Sequence, residues 1–108
     1  MRRWSRVSLH TLILKLLDGV SDPATRADIT ATFSIITEAY VRGRLDENRL
    51  EKALTELIMD ALSIKHPDKS IDELKNMSQE WVEKFRRAIR VTALRIRLGA
   101  SLLREEMI

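Results

Sequence analysis

The chain has 108 residues, of which 44% are hydrophobic and 32% charged, a composition typical of one compact soluble domain. It contains no cysteine, which excludes disulfides, thiolate metal sites and cysteine nucleophiles, and its three glycines and two prolines supply few hairpin turns. Missing cysteine and scarce side-chain amides are also typical of heat-adapted proteins, so we expect a thermophilic source. The apolar run near the N-terminus holds charges and lacks a cleavage site, so we expect cytoplasmic localisation.

Charge is unevenly distributed along the chain, which carries a net charge of +3. Residues 1–20 and 76–108 each carry +3, whereas residues 21–43 carry −1 and residues 44–75 carry −2. The basic residues are therefore concentrated at the two ends. No stretch approaches the roughly 18 apolar residues of a membrane span, so none is predicted.

Capping signals and hydrophobic spacing divide the chain into four helices. Ser8, Asp22 and Asp46 are each good N-caps that precede a segment of helical periodicity. Gly19 and Gly43 follow the first two segments, where a left-handed residue ends a helix. The predicted helices cover residues 8–18, 23–42, 47–64 and 71–104, and residues 1–7 form a basic N-terminal arm.

The fourth helix begins at a capping box formed by Ser70 and Glu73, after Pro67 has ended the third. A break near residues 76–78 would divide it. The β-branched cluster of residues 29–37 follows helical spacing better than alternation, so no strand is predicted. The predicted fold is therefore all-α: a single-domain four-helix bundle with a long C-terminal helix, or a five-helix bundle if the break forms.

Arginines form one stripe on the predicted C-terminal helix. At about 100° per residue, four of them lie within roughly 40° of each other around the helix axis: Arg86, Arg90, Arg97 and Arg104. The planar guanidinium suits contact with phosphates, and the N-terminal arm adds cations and one ring for stacking. The expected nucleic-acid contacts are Arg2, Arg3, Trp4, Arg6, Arg86, Arg90, Arg97 and Arg104. Alternatively, the stripe is a solvated face that pairs with Glu80, Glu83, Glu105 or neighbouring helices, or the basic arm binds a membrane surface.

The same helix carries two apolar faces. One consists of Phe85, Ile89, Ile96 and Leu103. The other, the expected partner interface, consists of Val91, Leu94, Leu98 and Leu102. The bundle covers one face, and the second requires another helix of the same chain, a second copy or a protein partner.

Residues 25–45 resemble a bacterial or archaeal helix-turn-helix, with Ile29 and Phe33 roughly where that motif has apolar residues. The resemblance implies a DNA-binding regulator. Ser34 stands where the turn usually has glycine, and Gly43 falls inside the would-be recognition helix. The competing interpretation is one uninterrupted amphipathic helix.

The tripeptide His66-Pro67-Asp68 resembles the loop tripeptide of the J-domain co-chaperones. That family has a shorter spacing from the start of its second helix and a basic helix before the tripeptide, whereas this helix carries Glu56 and Asp60. Pro-Asp is also ordinary turn chemistry. The tripeptide therefore does not predict a co-chaperone.

Catalytic and metal-binding motifs are lacking. Neither His10 nor His66 lies in a sequence motif of a nucleophile and its base, and neither has another ligand residue at the spacing of a metal site. The acidic i,i+4 pairs, Glu47/Glu51 and Glu56/Asp60, are expected to form a solvated surface. We therefore predict no enzyme activity and neither cofactor nor metal.

The sequence predicts a small non-catalytic binding protein, acting as a subunit or accessory factor. The leading interpretation is association with DNA or RNA through the arginine stripe, with little sequence specificity. One alternative is a structural or assembly subunit that self-associates or binds a protein partner through the second apolar face. Another is the helix-turn-helix regulator.

Overall fold

The computed structural model describes the backbone of residues 8–107 and the side chains of residues 8–99, so the N-terminal arm lies outside the description. Within it the chain has four helices and no strand: α1 (Leu9–Leu17), α2 (Pro23–Val41), α3 (Glu47–Lys65) and α4 (Ile71–Met107). The all-α prediction is confirmed. The five-helix alternative is wrong, because α4 passes through residues 76–78 without a break. None of these helices is long and apolar enough to cross a membrane.

The helix starts are the capped positions that the sequence indicates. The side chains of Ser8, Asp22 and Asp46 each accept a hydrogen bond from the backbone N–H three residues later. At the start of α4, the backbone N–H of Ser70 donates to the Glu73 carboxylate, and the Glu73 N–H donates to Ser70 Oγ. This reciprocal pair is the predicted capping box, and it satisfies two amide groups that a helix end leaves unpaired.

Helix α2 is continuous through the segment that resembles a helix-turn-helix. Thr30, Thr32 and Thr37 each donate a side-chain hydrogen bond to the carbonyl four residues earlier, which accommodates them within the helix. Gly43, with φ of +76°, follows the helix and adopts the left-handed conformation that glycine permits. The turn required at Ser34 does not form, so the helix-turn-helix geometry placed on residues 25–45 is corrected to a single helix that ends at Val41, followed by the connection to α3.

The J-domain-like tripeptide forms the connection between α3 and α4. His66 is the C-cap of α3, and its carbonyl accepts a hydrogen bond from the Lys69 N–H at 3.1 Å. Pro67 and Asp68 therefore occupy the centre of a tight turn, as expected for this pair of residues.

The core lies where α1, α2 and α3 pack on the first two-thirds of α4, with α3 and α4 forming the most extensive interface. The rings of Phe33 and Phe85 stack at its centre, with centroids 4.5 Å apart and an interplanar angle of 10°. Both rings are fully buried, and Leu50, Leu54 and Ile58 of α3 are buried in the same cluster. The stack joins α2 to α4, two helices that have few other contacts.

Two cationic side chains donate hydrogen bonds to backbone carbonyls at the C-terminal end of α1. The Arg26 guanidinium donates to the carbonyls of Leu17 and Val20 at 2.7 and 2.9 Å. The Lys65 ammonium donates to the Leu16 carbonyl at 3.0 Å and lies 5.9 Å from the centroid of the Trp81 ring. Side chains from α2 and α3 thus bind carbonyls in the last turn of α1 and at Val20, just after it.

Replacing Phe85 with alanine should destabilise the fold by about 3–5 kcal/mol, because it removes a fully buried ring and leaves a cavity against Phe33. Chemical denaturation followed by circular dichroism measures this loss. Leu14→Ala is the matched control, since Leu14 is 47% exposed and lies outside the core cluster, and its truncation should change stability far less than that of Phe85. Similar losses for the two variants would contradict the described core.

Candidate functional site

The candidate site is the part of α4 that extends beyond the other helices. Ala93 is the last buried residue of α4 among the side chains described, and burial ends there because α3 begins nearby. Glu47, the first residue of α3, reaches Arg90 of α4 with an oxygen–nitrogen distance of 2.6 Å. Residues 94–107, named here the overhang, continue as helix for about 20 Å.

The predicted core face of α4 is only partly covered. Phe85 and Ile89 are fully buried against the bundle. Ile96 continues the same face into the overhang, where 50% of its surface is exposed. The side chain of Leu103 lies outside the described residues. The bundle therefore does not bury this face at the start of the overhang.

The second apolar face is exposed throughout its described length. Val91, Leu94 and Leu98 have exposed fractions of 42%, 57% and 56%. The side chain of Leu102, the fourth member of the predicted partner interface, lies outside the description. Including Ile96, four large apolar side chains are thus solvent-accessible within two turns of helix, in a region that carries them on more than one face.

Two arginines of the predicted stripe form ion pairs inside the chain. Arg86 lies 3.4 Å from Glu47, 3.1 Å from Glu51 and 3.7 Å from Glu83, and its side chain is only 22% exposed. Arg90 shares the same Glu47 oxygen that Arg86 contacts. The buried Nε of Arg86 has no hydrogen-bond partner. The arrangement joins the N-terminal turn of α3 to α4 with charge-assisted hydrogen bonds.

Glu47 is the centre of this network. Its second carboxylate oxygen accepts a hydrogen bond from the Tyr40 hydroxyl, at the end of α2. The Tyr40 hydrogen bond, followed by the Arg90 hydrogen bond, lowers the pKa of Glu47 to about 2. The same contact raises the pKa of Tyr40, because losing its proton would place a second negative charge beside Glu47. Three helices therefore meet at one carboxylate.

Of the remaining predicted nucleic-acid contacts, only Arg97 has a described side chain, and it does not join this network. The side chains of Arg95 and Arg97 lie on the exposed overhang and make no ion pair with any described residue. The side chain of Arg104 lies outside the description, as do Arg2, Arg3, Trp4 and Arg6. The structure thus brings Arg86 and Arg90 together on Glu47 and leaves Arg97 apart.

The role of Glu47 and Tyr40 was not anticipated from the sequence, which placed Glu47 and Glu51 on a solvated surface. The sequence does contain one signal for this contact, since the acidic pair and the basic pair have the same i,i+4 spacing. An acidic i,i+4 pair on α3 faces a basic i,i+4 pair on α4, Arg86 and Arg90. Such pairs lie on one side of their helices and can meet when the helices pack side by side.

Neither a cluster of metal-ligating residues among the described side chains nor a similar protein indicates a function. Among the described residues, no group of three or more potential ligating side chains converges on one point. No family model matches the chain, and no curated protein or solved structure shows significant similarity to it. The function must therefore be inferred from the surfaces themselves.

The Glu47 carboxyl should titrate with a pKa of about 2, whereas the ordinary value is 4.5. Because its pKa is lowered in the folded state, Glu47 stabilises the fold above pH 4.5, and this contribution is lost as the pH falls towards 2. Carbon-13 NMR of the carboxyl group measures the midpoint. Tyr40→Phe removes the largest cause and should raise the midpoint. A wild-type midpoint of 4.5 would show that the network does not form.

Proposed function

We propose that this protein is a non-catalytic assembly protein that self-associates through the overhang of α4. The observation that carries the proposal is the concentration of exposed apolar side chains between Val91 and Leu98. Scattered exposed apolar residues are normal on a protein surface, but Val91, Leu94 and Leu98 share one face of a protruding helix, and such a group is typical of an interaction site.

The energetics of the overhang support the same conclusion. Full burial of a leucine or valine side chain contributes about 1.5–3 kcal/mol, and Val91, Leu94, Ile96 and Leu98 all retain much of this potential. The overhang is also a continuous extension of a folded helix, so it needs no separate nucleation. A partner thus meets a preformed helix and need not order it.

The ion pairs of Arg86 and Arg90 favour assembly over phosphate binding as the main role. To contact a phosphate, either side chain would have to leave Glu47, and Arg86 would also have to leave Glu51. Separating a hydrogen-bonded charge pair to make another contact reduces the net gain in binding free energy. Association through the exposed apolar face breaks none of these ion pairs.

Sedimentation equilibrium tests the proposal directly. The mean mass of the wild-type protein should rise with concentration. Leu94→Gln/Leu98→Gln should weaken association at least about tenfold, because it replaces two exposed leucines that the contact would bury. The control Leu14→Gln makes the same change on α1 and should associate as the wild type does. A wild-type mass of one chain at every concentration would refute the proposal.

Nucleic-acid association is a second candidate, favoured by the exposure of Arg95 and Arg97 at the same end of the molecule. Neither arginine forms an ion pair with a described residue, so both are accessible to phosphates. Under this alternative, binding is electrostatic and largely independent of sequence.

Fluorescence anisotropy with mixed-sequence DNA and RNA, at about 50 and 200 mM salt, tests this second candidate. Binding should weaken steeply with salt, and Arg95→Ala/Arg97→Ala should reduce the salt slope by about two. Arg42→Ala, at an exposed arginine of α2 paired with Glu38, is the control. An absence of binding at the lower salt concentration would exclude this candidate.

A further inference from the structure

A shallow open groove lies at the other end of the molecule, between α2, α3 and the first turn of α4. Its volume is about 590 Å³, and its lining includes Ile36, Leu57, Ile71 and Leu74. Ile71 is 73% exposed, so apolar surface reaches the groove edge. The groove is apolar at its base and accessible from solvent along its length.

The charged residues that line this groove are both acidic. Glu56 and Asp60 stand one turn apart on α3, and neither makes an ion pair with a described residue. Asp28 is exposed one turn before Thr32, which lines the opposite wall on α2. An apolar groove with two carboxylates on its α3 wall and a third just beyond its α2 wall is complementary to an apolar helix face flanked by cations.

The overhang has this complementary pattern. At about 100° per residue, Arg95 and Arg97 lie on opposite sides of the Leu94–Leu98 stripe, each roughly 80° from its centre. All four side chains are exposed. A helix that places the two leucines on the groove base would therefore hold one arginine towards Glu56 and Asp60 and the other towards the α2 side, where Asp28 lies one turn before Thr32.

The groove cannot be filled by the overhang of the same chain. Ile71, at the groove, and Leu94, at the start of the overhang, belong to the same continuous helix and are 23 residues apart. At the α-helical rise this separation is about 35 Å. The two surfaces face different molecules, and a contact between them must join two copies.

We infer that the overhang of one copy docks in the groove between α2 and α3 of the next copy, in a head-to-tail contact. The inference rests on the proposed self-association and specifies its geometry. Because the two surfaces differ, each copy retains a free groove or a free overhang after pairing, and assembly proceeds to a ring or an open chain. Pairing of two overhangs would instead produce a closed dimer.

The test separates the two surfaces by mutation. Glu56→Arg/Asp60→Arg blocks the groove by reversing its charge, and Leu94→Gln/Leu98→Gln blocks the overhang. Each variant alone should associate at least about tenfold more weakly than the wild type in sedimentation velocity. An equimolar mixture should form a two-chain complex and stop, since one variant retains an intact overhang and the other an intact groove.

A charge exchange controls for damage to the fold. The chain carrying Asp28→Arg/Glu56→Arg/Asp60→Arg together with Arg95→Glu/Arg97→Glu should recover association, because opposite charges then face each other on both sides of the groove. Circular dichroism should show the helix content of the wild type in every variant. Failure of the exchanged chain to associate, with its fold intact, would overturn the head-to-tail contact.

Other results distinguish the inference from the proposed function. A groove variant that associates like the wild type, while the overhang variant does not, would refute docking in the groove but leave self-association through α4. If Arg2→Glu/Arg3→Glu/Arg6→Glu abolishes association and the overhang variant does not, the groove ligand is the N-terminal arm and both proposals are wrong. A wild-type protein that is always monomeric overturns both as well.

Discussion

Helix α4 has 37 residues, whereas α2 and α3 have 19 each and α1 has nine. An amphipathic helix is stabilised mainly by burying its apolar face, so the length of its partners decides how much of α4 is covered. Coverage ends at Ala93, the last buried side chain described on that helix. The exposed apolar residues, the position of Arg95 and Arg97 away from any described carboxylate, and the distance from overhang to groove all follow from this difference in length.

The Glu47 network marks the place where coverage ends. It joins the last turn of α2, through Tyr40, and the first turn of α3 to α4. Partly exposed ion pairs contribute about 0–1 kcal/mol each, so the hydrophobic core, including the Phe33–Phe85 stack, accounts for most of the stability. The network instead restricts how α3 can slide along α4, since a shift of one turn would separate Glu47 from Arg90. It also changes the interpretation of the arginine stripe, because its first two members, Arg86 and Arg90, form ion pairs within the chain.

The sequence was sufficient for the helices because their starts are encoded locally, by Ser8, Asp22, Asp46 and the Ser70–Glu73 pair. It also indicated that α4 needs two sets of partners. It could not show that Arg86 and Arg90 meet Glu47 and Glu51, because that contact depends on how two helices pack. The groove was equally beyond sequence analysis, since its lining comes from three helices that are adjacent only in the fold. Comparing the predicted helix lengths would, however, have revealed the overhang.

Gly99 gives the overhang a mechanical property that its length alone would not. It is a helical glycine near the middle of the protruding segment, and a Cβ at this position would meet nothing within 4 Å. Packing therefore does not require glycine here, whereas helix propensity is reduced by about 1 kcal/mol relative to alanine. Glycine restricts the backbone less than any other residue does. The helix is therefore easiest to bend at Gly99, between the part that continues from the bundle and the part that follows. Bending of α4 at Gly99 would therefore leave the core contacts unchanged, because the last buried side chain described on α4 is that of Ala93.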